Sequence, residues 1–446
     1  MEWLEYGILF AVAFAVTVLA TPWVRKLAVR FDAVDYPDDR RVNKEPIPRL
    51  GGVAICCGIL CSLGVMVVCT RFLGWEIPLA PRDMRAWSYL LITAGALVMF
   101  GVGVVDDLIN LRPIAKFAGQ IVAAIIVCCS GLLLDGFHNP FSGEFIAFGI
   151  WAYPITVFYL VAFANVINLI DGLDGLAAGI TAIAAFTIFV FALMKGEVEA
   201  AFLSLALVGS CLGFLIYNFN PASIFMGDSG ALLLGFSLGI TSLFALFKST
   251  LVVSLLIPIL AAGVPILDTS FAIVRRLRAG RSIASADTGH IHHRLMKAGF
   301  SQRSTVLIMW GWTAILSVCA VYVTTAQGWS RIVALILVCC LTVVCVWKLK
   351  LLGPALSHHY IPRKRRGEEG AGAQPASSDV SEGDGGVAGG VDDISRDAHS
   401  AQEAQEAREA QGVQGAQEAC EAQGVQGAHE ACETREALGE TSLDIK

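Results

Sequence analysis

The chain has 446 residues, 55% of them hydrophobic and only 16% charged, with a mean hydropathy of +0.65. A soluble domain carries about a quarter charged residues, so this composition excludes a soluble enzyme and marks a membrane protein. The formal net charge of -6 says little about partners, because acidic and basic residues are segregated along the chain; nucleic acid is not an expected partner.

Glu2 and Glu5 precede the first apolar run, where a signal peptide would carry basic residues, so this run reads as a retained anchor. A spanning helix needs about 20 mostly apolar residues. Eleven candidates follow, centred near 14, 60, 96, 124, 156, 184, 209, 238, 262, 314 and 339. The expected fold is an all-α polytopic membrane protein, its integral domain covering 1–352. Cysteines such as Cys56, Cys57, Cys128 and Cys129 lie inside apolar runs and act there as small hydrophobes. With the N-terminus outside, the inner segments up to Arg366 hold 22 Lys and Arg and the outer ones six. That asymmetry decides the orientation, and an odd number of spans then puts the C-terminus in the cytoplasm; the expected location is the plasma membrane.

Ionisable residues at span ends are functional candidates by default. In chain order, Asp106 and Asp107 of "GVVDDL" close the third span. Two adjacent acids there oppose the helix dipole and call for a cation, either a metal or bases such as Arg112 and Lys116. The stretch "NVINLIDGLDGLAAG" (165–179) places Asn165, Asn168, Asp171 and Asp174 three residues apart. Three residues turn an α-helix by about 300°, so one continuous helix cannot aim all four at one point. Gly172 and Gly175 let the backbone break. The two Asn then end span five, and the two Asp occupy the turn and the start of span six. Asp228 of "FMGDSGALLLG" opens span eight, where a helix N-terminus favours an acid. Asp268 of "GVPILDTS" is expected to pair with Arg275 or Arg276 or, preferably, to brace the site. "ADTGHIHHRL" (286–295) lies in a long basic loop. All the acids that could carry chemistry therefore fall on one side of the membrane.

From about Gly367 the composition changes to Ala, Gln, Glu and Gly, with "AQGVQGAQEACE" (410–421) repeated as "AQGVQGAHEACE" (422–433). Residues 367–446 read as a disordered cytoplasmic tail. Several alternatives fail on pattern. "DGLDG" lacks the ligand spacing of an EF-hand. The GxG of "GVGVV" lies in a span with no preceding strand, and there is no GxxxxGK[ST]. The histidines have no nearby partner group at zinc-ligand spacing.

Hard carboxylate and amide oxygens suit Mg²⁺, with Mn²⁺ as a substitute, held partly by substrate phosphates. A basic loop suits phosphate oxygens. Phosphoryl transfer between two anionic partners requires this combination. The chain resembles the bacterial polyprenyl-phosphate N-acetylhexosamine-1-phosphate transferases of the glycosyltransferase 4 family. The resemblance covers residues 1 to about 350. It rests on "RRVNKEPIPRLGG" (40–52), "DDLINLRPIAK" (106–116), "NVINLIDGLDGL" (165–176), "GDSGALLLG" (227–235) and "HIHHRL" (290–295).

That resemblance implies transfer of a sugar phosphate from a UDP-N-acetylhexosamine to a polyprenyl phosphate, with release of UMP. It implies Asp228 as the main Mg²⁺ ligand and Asn168 as a second. Asp106 and Asp107 would bind near the metal or deprotonate the lipid phosphate. Asn165, Asp171 and Asp174 would serve the nucleotide-sugar site, and Lys44 and Lys116 would neutralise phosphate. His290, His292, His293 and Arg294 match the sugar-selecting loop. "HIHHRL" looks like the enzymes using UDP-N-acetylglucosamine. Met296 follows it where the phospho-N-acetylmuramoyl-pentapeptide transferases carry an acid, which makes those the runner-up. Direct in-line displacement and a covalent aspartyl intermediate both remain open. From other classes, an ion-coupled transporter is the rival, and a homodimer is the one protein partner considered.

Overall fold

A hydrocarbon environment offers backbone polar groups no partners but each other, so long apolar runs close their hydrogen bonds as helices. The computed structural model describes residues 3–36, 46–75, 86–138, 144–247, 259–260, 262–278, 290–326 and 329–348. Its helices are Trp3–Arg30 (α1), Gly51–Phe72 (α2), Ala86–Ile109 (α3), Pro113–Cys128 (α4), Ala152–Ile170 (α5) and Leu176–Lys195 (α6). Then come Val198–Asn218 (α7), Gly227–Phe247 (α8), Gly263–Arg278 (α9), the short Ile291–Lys297 (α10), Gln302–Thr325 (α11) and Trp329–Lys348 (α12). Lys44, the basic-loop residue Arg281 and the tail from 367 lie outside the described residues, as do the side chains of Arg275 and its basic-loop neighbour Arg278.

Ten of the eleven expected span centres fall within these helices, and the centre near 262 lies beside the start of α9. Eight of the helices are long and apolar enough to cross a bilayer unaided, which makes the chain a multi-pass membrane protein. The apolar stretches in α4, α9 and α12 are shorter. The 16 residues of α4 rise about 24 Å, less than a hydrocarbon core of about 30 Å. Hydropathy locates such segments without measuring how far each one reaches.

Burial then ranks the helices. In the α8 span 94% of the residues are buried in protein, against 28% in α1 and α3. Thus α8 is the shaft of the bundle: α2, α3, α5, α6 and α7 all pack on it. Further out, α1 packs on α2 and α7, α4 on α3 and α5, and α11 on α6 and α12. Interhelical polar contacts help hold the periphery, among them Ser62 Oγ of α2 donating to Leu9 O of α1 at 2.9 Å. Asn165 of α5 donates to Gln120 Oε1 of α4 at 2.7 Å. Such contacts contribute about 0.6 kcal/mol on average within membranes.

At one end of the bundle the chain builds a small lip. Strand β1 (Val34–Asp35) pairs antiparallel with β2 (Ile47–Pro48). Phe225 N donates to Pro48 O at 2.8 Å, while Gly51 N and Gly52 N donate to the carbonyls of Phe225 and Met226, each at 2.9 Å. The first N–H groups of α2, which lack intrahelical acceptors, are thus satisfied by the segment leading into α8. At the opposite end β3 (Gly136–His138) and β4 (Phe145–Ala147) form a second hairpin-like pair.

Candidate active site

The first turn of α8 likewise exposes N–H groups that need acceptors. Asp107, in the last turn of α3, supplies both. Its Oδ1 accepts from Asp228 N at 2.8 Å and its Oδ2 from Ser229 N at 3.0 Å. This resolves the dipole conflict expected at the end of α3, because the positive end of α8 faces the acid. The approach requires Gly227. Its φ is +72°, and a Cβ there would lie 2.5 Å from Asp107 Oδ2.

Asp106 is equally committed. Its Oδ1 accepts from Leu111 N at 2.7 Å and its Oδ2 from Lys116 Nζ at 2.8 Å. The same ammonium lies 2.9 Å from Asp228 Oδ1. Lys116 is therefore the compensating cation that the acidic pair demanded.

The second acidic group occupies a turn, as the three-residue spacing required. Helix α5 ends at Ile170, and Gly175, at φ +77°, caps the start of α6. Asp171 and Asp174 both lie in the turn itself, so Asp174 does not enter α6. Asn218 ties this turn to the α7–α8 loop, accepting from Gly175 N at 3.0 Å and donating to Ile224 O at 3.0 Å. Asp174 Oδ2 accepts from Asn220 Nδ2 at 2.9 Å and Ala222 N at 3.1 Å. Asp171 has no hydrogen-bond donor for its carboxylate among the described residues. Burial, reinforced by the charges of Asp228, Asp107 and Asp174, pushes its carboxyl up to about 8.

These elements enclose a cavity of about 790 Å³. Of the residues singled out by sequence, Asp107, Asn168, Asp171, Asp174 and Asp228 line it, and His292 and His293 close it from α10. Asp106 and Lys116 stand beside Asp228 without lining the cavity. His290 is buried away from it, and Arg294 is not part of the wall. Asn165 is not brought to the cavity, since its amide is held by Gln120 and by Val161 O at 2.8 Å. His292 departs from the expected basic wall. Burial pushes its imidazole down to about 3, with His293 and His290 acting in the same direction and Asp268 opposing, so it is neutral at pH 7.

The cavity also has walls that sequence reading did not assign. Arg25, at the end of α1, and Arg49 face it, with Gln302 and Asn220 nearby. Arg49 is held by Asn110 Oδ1 at 3.1 Å and lies 4.0 Å from Asp35. It stands inside the quoted "PIPRLGG" run, which was a usable signal. For Arg25, one base among several at the membrane edge, there was none.

Among the described residues, no three His, Cys, Asp or Glu side chains form a closed metal cage. What the cavity presents is an open set of hard oxygens, from Asp228, Asn168 and Asp171. That set fits a cation such as Mg²⁺, which retains ligands for substrate phosphates and takes one or two carboxylates from protein.

Residues 89–246, from α3 to α8, match the profile of glycosyl transferase family 4. The chain is 42% identical over 320 residues to a protein of Bacillus subtilis named as a probable undecaprenyl-phosphate N-acetylglucosaminyl 1-phosphate transferase, covering 72% of this chain and 85% of that protein. It is 38% identical over 336 residues to the decaprenyl-phosphate N-acetylglucosaminephosphotransferase of Mycolicibacterium smegmatis, covering 70% and 80%. It is 32% identical over 299 residues to the phospho-N-acetylmuramoyl-pentapeptide-transferase of Moorella thermoacetica, covering 63% and 86%. The matched region carries the acids that meet at the α8 N-terminus and the 171–175 turn. On this fold, these motifs and these relatives, the chain belongs to glycosyl transferase family 4, among its membrane-embedded polyprenyl-phosphate sugar-phosphate transferases.

Proposed function

We propose that the protein transfers N-acetylglucosamine 1-phosphate from UDP-N-acetylglucosamine to a polyprenyl phosphate such as undecaprenyl phosphate. The products are polyprenyl-diphospho-N-acetylglucosamine and UMP, and the reaction is the first lipid-linked step of a cell-envelope polymer. One observation carries the reading: ends of separate spans bring Asp171, Asp228 and Asn168 to one cavity, with Arg25 and Arg49 in its walls. A diphosphate needs such cationic groups, and a lipid-borne acceptor needs the cavity at the end of a membrane bundle. The Lys and Arg distribution supports a cytoplasmic opening. The greater identity to the N-acetylglucosamine relatives, together with Met296 after "HHRL", favours this donor over the muramoyl-pentapeptide one.

In this reading Asp228 and Asn168 would hold Mg²⁺, with Asp171 in the same cavity wall, and the ion would supply charge neutralisation for the diphosphate. Arg25 and Arg49 orient phosphate oxygens. One oxygen of the lipid phosphate attacks the sugar-bearing β-phosphorus. The bond from that phosphorus to the bridging oxygen breaks, and UMP leaves with the electron pair. A phosphate monoester has a second pKa near 6, so the nucleophile is already anionic at neutral pH and needs no strong base. This agrees with the four oxygens of Asp106 and Asp107, all of which are occupied by hydrogen bonds. We assign these two acids to holding Lys116 and the α8 N-terminus in place. The same occupancy favours direct displacement over an aspartyl intermediate.

The test uses purified full-length protein with polyprenyl phosphate, Mg²⁺ and three donors: UDP-N-acetylglucosamine, UDP-N-acetylgalactosamine and UDP-N-acetylmuramoyl-pentapeptide. UMP release and lipid product with the first donor are expected. Turnover confined to either of the others, or none, contradicts the proposal.

A further inference from the structure

Asp268 of α9 is 1% exposed, does not line the cavity and has no part in the chemistry above. A buried carboxylate needs donors for both oxygens, and here α10 supplies both. Ile291 N donates to Oδ1 at 2.8 Å and His290 Nδ1 donates to Oδ2 at 3.0 Å. An ionised carboxylate only accepts, so the contact places the proton of His290 on Nδ1 and fixes its tautomer and ring plane. The ring of His292 lies parallel to that plane, with centroids 5.6 Å apart and 6° between planes. His292 in turn touches the 171–175 turn: a Cβ on Gly172 would stand 3.0 Å from His292 Nε2. His292 is 2% exposed, and its Nδ1 has no hydrogen-bond partner among the described residues. A seven-residue helix cannot hold such an arrangement by itself, because helix nucleation is unfavourable and short helices need anchors.

The geometry points to Asp268 as a positioning residue for nucleotide-sugar recognition. It anchors the start of α10 and orients His290, and through the parallel imidazoles it seats His292 against the turn that carries Asp171. The assignment rests on the donor proposed above. The other candidate, the apolar groove between α1 and α7 lined by Arg25, Lys26 and Tyr217, has nothing in the structure to name its occupant.

Asp268→Asn keeps an oxygen for Ile291 N and turns an amide toward His290, reversing the demand on its tautomer. In the purified full-length enzyme, KM for UDP-N-acetylglucosamine should rise about tenfold, the lower end of the loss when the carboxylate behind a metal-bound histidine is removed. KM for polyprenyl phosphate should stay unchanged. Asp268→Asn combined with His290→Gln should be no worse than the more severe single variant, because both break one linkage. Nitrogen NMR of labelled histidine should show His290 protonated on Nδ1 in the wild type and altered in Asp268→Asn. Equal shifts in both KM values, additive losses or an unchanged His290 signal each overturn the inference. The NMR readout is independent of turnover. A wild type that releases no UMP but shows the expected tautomer change refutes the donor assignment and still supports the positioning.

Discussion

Asp106–Asp107 and Asp171–Asp174 look interchangeable in the sequence, as acid pairs at the ends of spans, yet the fold uses them in opposite ways. In the first pair every oxygen has a donor: two backbone N–H groups of α8, one of Leu111 and the Lys116 ammonium. In the second, Asp174 is tied to the α7–α8 loop, while Asp171 faces the cavity with no donor among the described residues and is pushed up to about 8. A satisfied carboxylate braces; an unsatisfied one among like charges is poised for a cation. Residue type and place at a span end are the same in both pairs, so the surrounding hydrogen bonds create the difference.

The comparison can be broken by substitution, beginning with the group both pairs face. Asp228→Asn should lower UMP release by about 10³-fold, the scale for losing a key electrostatic group. Membrane insertion and the elution volume in detergent should be unchanged, because Asp228 contributes its backbone N–H rather than its carboxylate to the brace on Asp107. Asp107→Asn comes next, with about a 10²-fold loss of turnover. One α8 N–H then meets an amide NH2 instead of an acceptor, which costs about 1–3 kcal/mol, so the thermal midpoint should fall as well. An unchanged midpoint would remove Asp107 from its bracing role.

Asp171→Asn should lower turnover about tenfold and raise the midpoint in the absence of divalent cations, the reverse of Asp107→Asn. The sign follows from linkage. The folded carboxyl titrates near 8 and an unfolded one near 4, so its contribution is full below about 4 and is lost as pH rises towards 8. A series of midpoints between pH 5 and 9 should therefore decline in the wild type and flatten in Asp171→Asn. The smallest effect belongs to Asn165→Ala, which releases Gln120: about 0.6 kcal/mol of stability and turnover within about twofold. A large loss of turnover there would restore Asn165 to the substrate site.

Much of this was legible in the residues. Apolar runs located the helices, because in a bilayer burial in lipid and burial in protein draw on the same side chains. Span order then grouped Asp107, Asn168, Asp171, Asp174 and Asp228 at one end, where the cavity lies. What stayed hidden depended on pairing across long separations. Nothing local tells that Asp107 accepts from residues 121 and 122 positions later, or that Asn165 is engaged by Gln120. Nor does the "HIHH" motif reveal that His292 is buried and neutral, since that depends on packing against Gly172 and neighbouring rings. Three-residue periodicity correctly demanded a break in the helix; it could not say which acid the break would leave without a donor.

The proposed function requires acids at helix ends to hold a divalent cation jointly with the diphosphate. Mn²⁺ binding followed by electron paramagnetic resonance tests it most directly, in wild type and Asp228→Asn, with and without UDP-N-acetylglucosamine. Tight binding is expected only in the wild type with the nucleotide sugar present; equally tight binding in Asp228→Asn, or no dependence on the nucleotide, would contradict the account.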